Sequence, residues 1–347
     1  MKAVLFAVVC FFAGAPAASA STTQITVYSY DSFMAPGGLG PDVIRIFENR
    51  SAGCRARVLP AGDAGQMIAR IMLDSKRRAP GAHVAVGVDA VSWPRVRPLA
   101  AGWGGWTPRN YLRISARARL PGGIVPYDYG IHAFIADTAA LRRAGIGRPG
   151  SLRDLLDARL GRNILLQDPR TSSPGMSFLL YTKAVLGNSF SAFWHSLARQ
   201  WLTLGSGWSA TYGLFLRGEA MLVWSYTTSE AYHEANGGGG RYKALIFAEG
   251  HPVHVEGAVW LKAPVGVVRN PEEDRCAKVF LETMISDEVQ RLVPFKNWML
   301  PALADAQLPP VFETLARPEI IPGVAAASGA EIRKITSDWL LAIEGAR

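Results

Sequence analysis

Short runs of β-forming residues alternate along the chain with amphipathic runs at helical spacing. Residues 24–30 alternate polar and apolar side chains at a period of two and end at a polar loop. After Pro41, apolar residues recur at Val43, Ile46 and Phe47. The first pattern is typical of a strand and the second of a helix. We therefore expect the chain to open with a strand, a loop and a helix.

The same alternation continues through the rest of the chain. Further strands or extended segments are predicted at residues 55–59, 83–88, 125–131, 133–136, 164–168, 221–226, 244–247 and 253–261. Helices are predicted at 66–72, from about Pro174, at 192–202, 276–284, 287–292 and 331–343. Strands that alternate with helices imply parallel sheets with crossover connections. Because ligands bind beyond the carboxyl ends of such strands, the loops after the strands are the places to inspect.

The length of the chain indicates two lobes. A single hydrophobic core stops growing at about 250–300 residues, and this chain has 347. The aromatic segment 125–131 is predicted to pass from one lobe to the other, and the chain to return through 244–261. We expect lobe 1 to comprise residues 21–126 plus 253–347 and lobe 2 residues 127–252. Two crossovers of this kind permit the lobes to close around a ligand.

The N-terminal segment has the pattern of a secretory signal. Lys2 precedes an apolar run at residues 3–14, and Ala18, Ser19 and Ala20 form a small-residue cleavage motif. Cleavage is expected after Ala20. Cys10 lies inside the apolar run, well before the motif, so we do not expect a lipid-anchored cysteine. The mature chain is predicted to be freely soluble in a bacterial periplasm.

Charge and cysteine content narrow the possible functions. The formal net charge is +9, but Lys and Arg are spread among acidic residues and form no basic run, which argues against nucleic-acid binding. Cys54 and Cys276 are the cysteines that remain after cleavage. Because most of the chain separates them and a pairing cannot be read from sequence, two isolated thiols are favoured over a disulfide.

Residues 167–175 form a polar turn between a strand and an apolar helix. We expect Ser173 to be the N-cap and Pro174 the first helical residue, with free backbone N–H groups directed into the loop. Such an arrangement suits a phosphate or a hydroxyl group. A capped helix without a ligand is equally compatible with the pattern.

Residues 222–232 repeat this design. The strand ends at Tyr226, and the hydroxyl residues Thr227, Thr228 and Ser229 follow it. Three hydroxyls together with N–H donors would make a second cradle for a polar group. The alternative is a Ser/Thr-capped helix with Tyr232 in ordinary packing. A serine nucleophile is not expected, because no G-x-S-x-G motif surrounds either turn.

Two tryptophans and one histidine pair complete the candidate residues. Trp208 is predicted in a glycine-bounded loop, and Trp298 after a proline-containing segment. A single Trp is usually packing, but several in one cleft would enclose a flat or cationic ligand. His251 and His254, with Glu256, do not establish a coordination geometry. No metal is therefore expected.

Seven segments of the chain, in order over nearly all of residues 21–347, resemble the thiamine-binding periplasmic proteins of ABC transporters. They are 26–33, 126–130, 167–172, 207–215, 225–233, 249–251 and 297–299. Ordered agreement of this kind is more specific than any single motif. The resemblance implies a two-lobe α/β fold, the type II periplasmic binding protein fold, with two hinge crossovers and a cleft between the lobes.

The resemblance also implies a ligand and its site. The ligand would be thiamine, thiamine monophosphate or thiamine diphosphate, captured without catalysis or a cofactor by a monomer that delivers it to a membrane permease. Asp63 would accept a hydrogen bond from the aminopyrimidine. The nominated ligand-binding residues are Tyr30, Asp63, Ala64, Ser172, Ser173, Trp208, Tyr226, Thr227, Thr228, Ser229, Tyr232 and Trp298.

Two alternatives stay open. A protein of the same fold would bind another solute, such as iron, a polyamine or a different heterocycle; iron-binding relatives use adjacent tyrosines, and Tyr226 and Tyr232 are not adjacent. A secreted thiamine-degrading enzyme of this fold would need an activated nucleophile. Such enzymes use a cysteine in the cleft, and neither Cys54 nor Cys276 lies in a loop assigned to it.

Overall fold

The computed structural model of the protein describes residues 22–77, 80–322 and 327–346. The predicted signal segment, residues 1–20, lies outside the described residues. Among the helices that are described, none is long and apolar enough to cross a membrane.

The predicted alternation of strands and helices is confirmed for most of the chain. The strands are β1 (Thr23–Ser29), β2 (Cys54–Pro60), β3 (Val84–Val88), β4 (Val125–Asp137), β5 (Ile164–Gln167), β6 (Trp201–Gly205), β7 (Leu222–Tyr226), β8 (Tyr242–Ala244), β9 (Val253–Trp260) and β10 (Leu300–Pro301). The helices are α1 (Leu39–Arg50), α2 (Ala64–Asp74), α3 (Trp93–Val96), α4 (Thr138–Arg143), α5 (Ser173–Leu186), α6 (Phe190–Leu197), α7 (Trp208–Leu216), α8 (Ser229–Ala235), α9 (Pro271–Met284), α10 (Asp287–Lys296), α11 (Pro310–Glu313) and α12 (Gly329–Glu344).

One predicted helix is partly wrong. Residues 192–202 were expected to be helical, but α6 ends at Leu197 and β6 begins at Trp201. The apolar residues of this stretch fit both periods, and short apolar runs do not distinguish a helix from a buried strand. The pairing of β6 with β5, a contact distant in sequence, decides the outcome.

The sheet is mixed, with parallel flanks and an antiparallel centre. Its strand order is β2-β1-β3-β9-β4-β7-β5-β6, and β8 and β10 both pair with β4. Parallel pairs join β1 to β2 and β3 on one flank, and β5 to β6 and β7 on the other. The prediction of parallel sheets with crossovers is therefore confirmed for the flanks. The centre is antiparallel because β4 and β9 run in opposite directions between the flanks.

Strand β4 joins the two halves of the molecule. Its first part, from Val125 to Ile131, pairs with β9, and its second part, from His132 to Ala136, pairs with β7. The two predicted segments 125–131 and 133–136 are thus one continuous strand. Strand β9, which follows the return of the chain, lies beside it.

Each half has its own apolar core. In the first half, Phe33, Phe47 and Phe280 belong to a cluster built from β1, α1 and α9. In the second half, Phe178 and Trp224 belong to a cluster built from β4, β5, α5, α6 and β7. The site must therefore be sought where these two separately packed bodies meet.

The C-terminal helix packs on the second half. Trp339 of α12 is buried against Trp194 of α6, with ring centroids 5.9 Å apart. The division predicted from sequence placed residues 253–347 in lobe 1, so α12 departs from it. A pattern of apolar positions shows that a helix has a face to bury but not which body will bury it. The remaining lobe bounds stay a prediction.

The expectation of two isolated thiols is wrong, because Cys54 and Cys276 form a disulfide. The bond joins the first residue of β2 to α9 across a sequence separation of 222 residues. The two Cα atoms lie 5.7 Å apart, within the range that a disulfide requires. This proximity arises from packing of α9 beneath the sheet and has no local signature in the sequence.

Replacing both cysteines by serine is expected to lower the free energy of unfolding by about 2–5 kcal/mol, because a disulfide that closes a long loop restricts the unfolded chain. Urea unfolding of the Cys54→Ser/Cys276→Ser variant checks this. Wild-type protein in dithiothreitol is the control and should lose a similar amount. Two titratable thiols in the denatured, unreduced wild-type protein would contradict the assignment.

Candidate functional site

A cavity of about 360 Å³ lies between the two halves. Its wall includes Tyr30 and Glu256 from the first half and Trp208 and Tyr226 from the second. Cavities that bind small organic molecules have volumes of about 300–1,000 Å³ and few, well-placed polar groups. The size and the position at the boundary of two bodies make this cavity the candidate site.

Most of the residues nominated from sequence come together here. Those on the cavity wall are Tyr30, Asp63, Ala64, Ser173, Trp208, Tyr226, Ser229, Tyr232 and Trp298. Three others are buried behind it and do not reach its surface, namely Ser172, Thr227 and Thr228. The structure therefore brings together nine of the twelve. Whether each contacts a ligand stays a prediction.

The turn before α5 differs from the expected geometry by one residue. Helix α5 begins at Ser173, so Ser172 is the N-cap, and its side chain makes no capping hydrogen bond. The position of this turn depends on Trp224, whose indole N–H donates to the carbonyl oxygen of Pro174 at 3.0 Å. Ser173 is thus held at the cavity wall by a tryptophan of the second core.

Asp63 links the two halves beside the cavity. One carboxylate oxygen accepts the backbone N–H of Ala64 at 2.8 Å and caps α2, and the other accepts the N–H of Trp208 at 3.0 Å, at the start of α7. Gly207 makes this approach possible, because a Cβ there would lie 2.7 Å from the Asp63 carboxylate. Burial raises the pKa of Asp63. Each oxygen accepts one backbone N–H and has a further lone pair, so the two lobes orient the carboxylate, and its acceptance of a hydrogen bond from a ligand stays a prediction.

A second contact supports this link. The backbone N–H of Gly65 donates to the carbonyl oxygen of Thr171 at 3.1 Å, and the Thr171 hydroxyl donates to the carbonyl oxygen of Ser206 at 2.7 Å. The start of α2 is therefore tied both to the loop before α5 and to the loop before α7. In this arrangement the halves are joined across the cleft.

The Asp63→Ala variant should lose about 1 kcal/mol of unfolding free energy, the cost of removing an N-cap, and should have a larger radius of gyration without ligand than the wild type. Urea unfolding and small-angle X-ray scattering measure the two effects. Asn270→Ala is the matched control, because Asn270 also forms a capping box, at the start of α9, away from the cleft. If both variants scatter like the wild type, Asp63 does not hold the halves together.

Trp208 is held rigidly rather than lying in a free loop. It is the first residue of α7, which corrects the loop expected from sequence. Its ring stacks on Tyr212 with centroids 4.7 Å apart, and its indole N–H donates to the Ser225 hydroxyl at 2.9 Å. The Ser225 hydroxyl also lies 2.9 Å from the hydroxyl of Ser229. A ring positioned from both ends loses little entropy when a ligand binds against it.

Trp298 occupies a strained backbone position at the cavity wall. Its φ of 51° lies in the left-handed region, which costs a non-glycine residue about 1–3 kcal/mol and is typical of functional positions. The ring meets Tyr232 edge to face, with centroids 5.3 Å apart. Two aromatic side chains from different halves thus form one part of the wall.

Sequence reasoning missed the role of Glu256. It lies in β9 and was considered there only as part of a weak metal motif with His251 and His254. In the described ranges, no group of three or more His, Cys, Asp or Glu side chains is arranged to hold a metal ion. The available indication was a carboxylate inside a mostly apolar strand. Such a residue is rarely buried unless partners compensate its charge.

The partners of Glu256 are two tyrosines and a histidine. The hydroxyls of Tyr30 and Tyr127 both donate to one carboxylate oxygen at 2.6 Å, and Nε2 of His254 lies 3.4 Å from the other. Burial acts to raise the pKa of Glu256, but His254 and the two hydroxyls outweigh it and hold the pKa below its ordinary value. These contacts stabilise the ionised form of Glu256, a largely buried carboxylate at the cavity wall.

Glu256 shifts the pKa values of neighbouring titratable groups. Burial acts to lower the pKa of His254, but Glu256 and Asp89 outweigh it and raise the pKa. Burial and the charge of Glu256 raise the pKa of Asp128 well above its ordinary value. These surroundings favour the neutral form of Asp128, behind the wall, and the charged form of Glu256.

Other wall residues were not among those nominated from sequence. They include Ser32, Gly87, Ser209, Tyr212, Asn297 and Met299. Gly87 illustrates why such residues are hard to recognise from sequence. Its φ is +98°, and a Cβ at this position would lie 2.4 Å from the ring of Tyr30. That glycine allows the Tyr30 ring to lie against β3. The contact depends on the packing of β1 beside β3 and cannot be seen in either segment alone.

Comparison with known proteins identifies the family to which the chain belongs. Residues 106–318 match the family described as bacterial extracellular solute-binding protein. The chain is 36% identical over 347 residues to the thiamine-binding periplasmic protein of Brucella abortus biovar 1 (strain 9-941), covering 97% of this chain and 96% of the relative. It is 35% identical over 328 residues to the thiamine-binding periplasmic protein of Escherichia coli (strain K12), covering 92% and 93%.

A solved structure agrees with these relatives. A periplasmic thiamin binding protein superimposes with a TM-score of 0.79 at 32% sequence identity, covering 93% of this chain and 96% of that chain. The expected two-lobe fold of the type II periplasmic binding proteins is therefore confirmed. The cavity described above lies between its lobes.

Proposed function

We infer that this chain, which belongs to the family of bacterial extracellular solute-binding proteins and within it to the thiamine-binding periplasmic proteins, binds thiamine or its phosphates in the interlobe cavity. It is the periplasmic solute-binding component of an ABC importer. The observation that carries this conclusion is a cavity whose wall combines aromatic rings from both halves with a buried carboxylate.

The chemistry of the wall suits thiamine. The thiazolium ring carries a fixed positive charge, which an aromatic face stabilises by roughly 0.5–2 kcal/mol per contact. The rings available at the wall are those of Tyr30, Trp208, Tyr232 and Trp298. The aminopyrimidine is flat and needs stacking together with hydrogen-bond acceptors. Asp63 and Glu256 supply carboxylate oxygens at the same wall.

Polar groups at another part of the wall suit the opposite end of the ligand. Ser173 lies at the N-terminus of α5, a helix of 14 residues, and lines the cavity. A helix N-terminus favours an anion. We propose that the alcohol or phosphate end of the ligand faces this part, and that Ser172, Thr227 and Thr228 support it from behind.

Binding without turnover is the second part of the proposal. Cys54 and Cys276 are joined in a buried disulfide, and the described residues of the cavity wall include no cysteine. We therefore propose that the protein carries thiamine unchanged. We also propose that it needs no cofactor or metal, is a monomer, does not bind nucleic acid and passes its ligand to the permease. Release of the pyrimidine from thiamine incubated with the protein would overturn this.

Calorimetric titration tests the binding proposal. We expect one thiamine per chain at micromolar concentration or below, with quenching of tryptophan fluorescence and a higher melting temperature, because a ligand that binds the folded state stabilises it. Ferric citrate and spermidine serve as controls for an iron or polyamine carrier. Native mass spectrometry of protein purified without added ligand should show the mass of thiamine or a phosphate ester. Binding of a control solute but not thiamine would overturn the assignment.

A further inference from the structure

The cavity wall carries a carboxylate whose position is determined by three neighbouring side chains. The side chain of Glu256 is 13% exposed and lines the cavity. Its two oxygens are held by Tyr30 and Tyr127 on one side and by His254 on the other. The carboxylate cannot turn away from the cavity without breaking hydrogen bonds to two buried tyrosines. It therefore presents a charge of constant position to any bound solute.

The charges around Glu256 leave an excess of negative charge. Two carboxylates flank the one imidazole of His254: an oxygen of Glu256 lies 3.4 Å from Nε2 and an oxygen of Asp89 lies 4.0 Å from Nδ1. A single imidazolium, shared between two carboxylates, compensates at most one of them. Lys296 also lines the cavity, but its ammonium lies 3.5 Å from Asp42, and its side chain is 36% exposed. Solvent and Asp42 therefore screen it.

This local charge opposes the charge of the whole chain. With a net charge of +9, the protein as a whole repels a cation. A largely buried carboxylate that shares its one imidazole partner with Asp89 is incompletely compensated, and a cationic solute in the cavity would add to its stabilisation in surroundings of low dielectric constant. Aromatic faces also attract a cation, but they stack on neutral rings as well. The carboxylate is therefore the group that distinguishes a charged ring from a neutral ring of the same shape.

We propose that Glu256 is the specificity-determining residue of the cavity, the counter-charge that selects a cationic heterocycle over its neutral isostere. The proposal rests on the proposed function, because thiamine is the cationic heterocycle in question. The tyrosines and His254 act as positioning residues for the carboxylate.

The test compares thiamine with an analogue whose thiazolium is replaced by a neutral thiophene. Calorimetry gives the affinity ratio of the two compounds for the wild type and for Glu256→Gln, which keeps an acceptor for the two tyrosine hydroxyls. We expect the preference for thiamine to fall at least tenfold in the variant. Glu230→Gln is the matched control, because Glu230 is a partly buried carboxylate that pairs with Lys243 outside the cavity wall, and its ratio should equal that of the wild type.

A second variant separates charge from shape. Glu256→Asp keeps the charge but moves it by one methylene, so it should lose affinity for both compounds and keep most of the preference. Circular dichroism and melting temperature establish that the variants are folded. An unchanged preference in folded Glu256→Gln, or its loss in Glu256→Asp, would overturn this inference and leave the binding of thiamine standing. A wild type that binds neither compound would instead overturn the proposed function, and this inference with it.

Discussion

Replacing Trp208 by alanine is expected to weaken thiamine binding by about 30- to 100-fold. At about 1.4 kcal/mol for each tenfold change, this corresponds to roughly 2–3 kcal/mol. The variant removes a large aromatic face from the cavity. This face is preorganised, because stacking on Tyr212 and a hydrogen bond to Ser225 fix the ring before the ligand arrives. Isothermal titration calorimetry measures the change.

Trp106→Ala is the control for this prediction. Trp106 is a partly buried tryptophan that packs against Trp103 with centroids 6.2 Å apart, and it does not line the cavity. Its replacement should leave the affinity for thiamine unchanged. The backbone N–H of residue 208 still bonds Asp63 in the alanine variant, so the interlobe link is retained. An affinity within threefold of the wild type would show that Trp208 does not contact the ligand.

Replacing Trp224 by alanine is expected to cost about 3–5 kcal/mol of unfolding free energy, the range for removing a large buried aromatic side chain. Trp224 is fully buried in β7 and lies against Phe134, Phe178 and Tyr181, with centroids 5.1, 4.8 and 6.0 Å away. No neighbouring side chain can fill the space without leaving its own position. Urea unfolding followed by circular dichroism measures the loss.

Trp224→Phe separates packing from hydrogen bonding. It keeps most of the ring contacts but leaves the carbonyl oxygen of Pro174 without its indole donor. We expect a smaller loss of about 1–3 kcal/mol, together with weaker binding of ligands that carry a phosphate, because the turn that holds Ser173 loses its support. A loss below 1 kcal/mol in Trp224→Ala would contradict the view that this tryptophan organises the second lobe.

The variants of these three residues are expected to change different properties, because each residue contacts a different part of the protein. Trp208 contacts the cavity and is expected to change affinity more than stability. Trp224 contacts the core and the back of the wall and is expected to change stability first. Asp63 contacts two helix ends in different lobes and is expected to change the shape of the ligand-free protein.

The strands and helices could be predicted because their causes lie within a few residues. The alternation at 24–30 and the apolar spacing after Pro41 reflect which side chains can share one face of an element. Strand β1 and helix α1 follow from those patterns. The polar turns at the ends of β5 and β7 are likewise local; Ser173, Tyr226 and Ser229 from these turns line the cavity, and their contact with a ligand stays a prediction.

The contacts that make the site are between residues far apart in the chain. Asp63 meets Trp208, Tyr30 meets Glu256 across a separation of 226 residues, and Cys54 meets Cys276. Neither partner of these pairs carries a local sign of the other. The sequence therefore predicted that Asp63 lies at the site but not that it accepts the backbone N–H of Trp208, and it predicted thiols where the fold makes a disulfide.

Local periodicity and turn chemistry thus account for the elements and the polar ends of the strands, because each depends on the chain within one or two turns of a helix. The length of the chain accounts for the presence of two bodies. The charge at the cavity wall, the partner of each carboxylate and the lobe that buries α12 depend on how separate elements pack. Burial sets those properties: the same Glu256 would be an ordinary surface carboxylate if β9 did not place it between two tyrosines and His254.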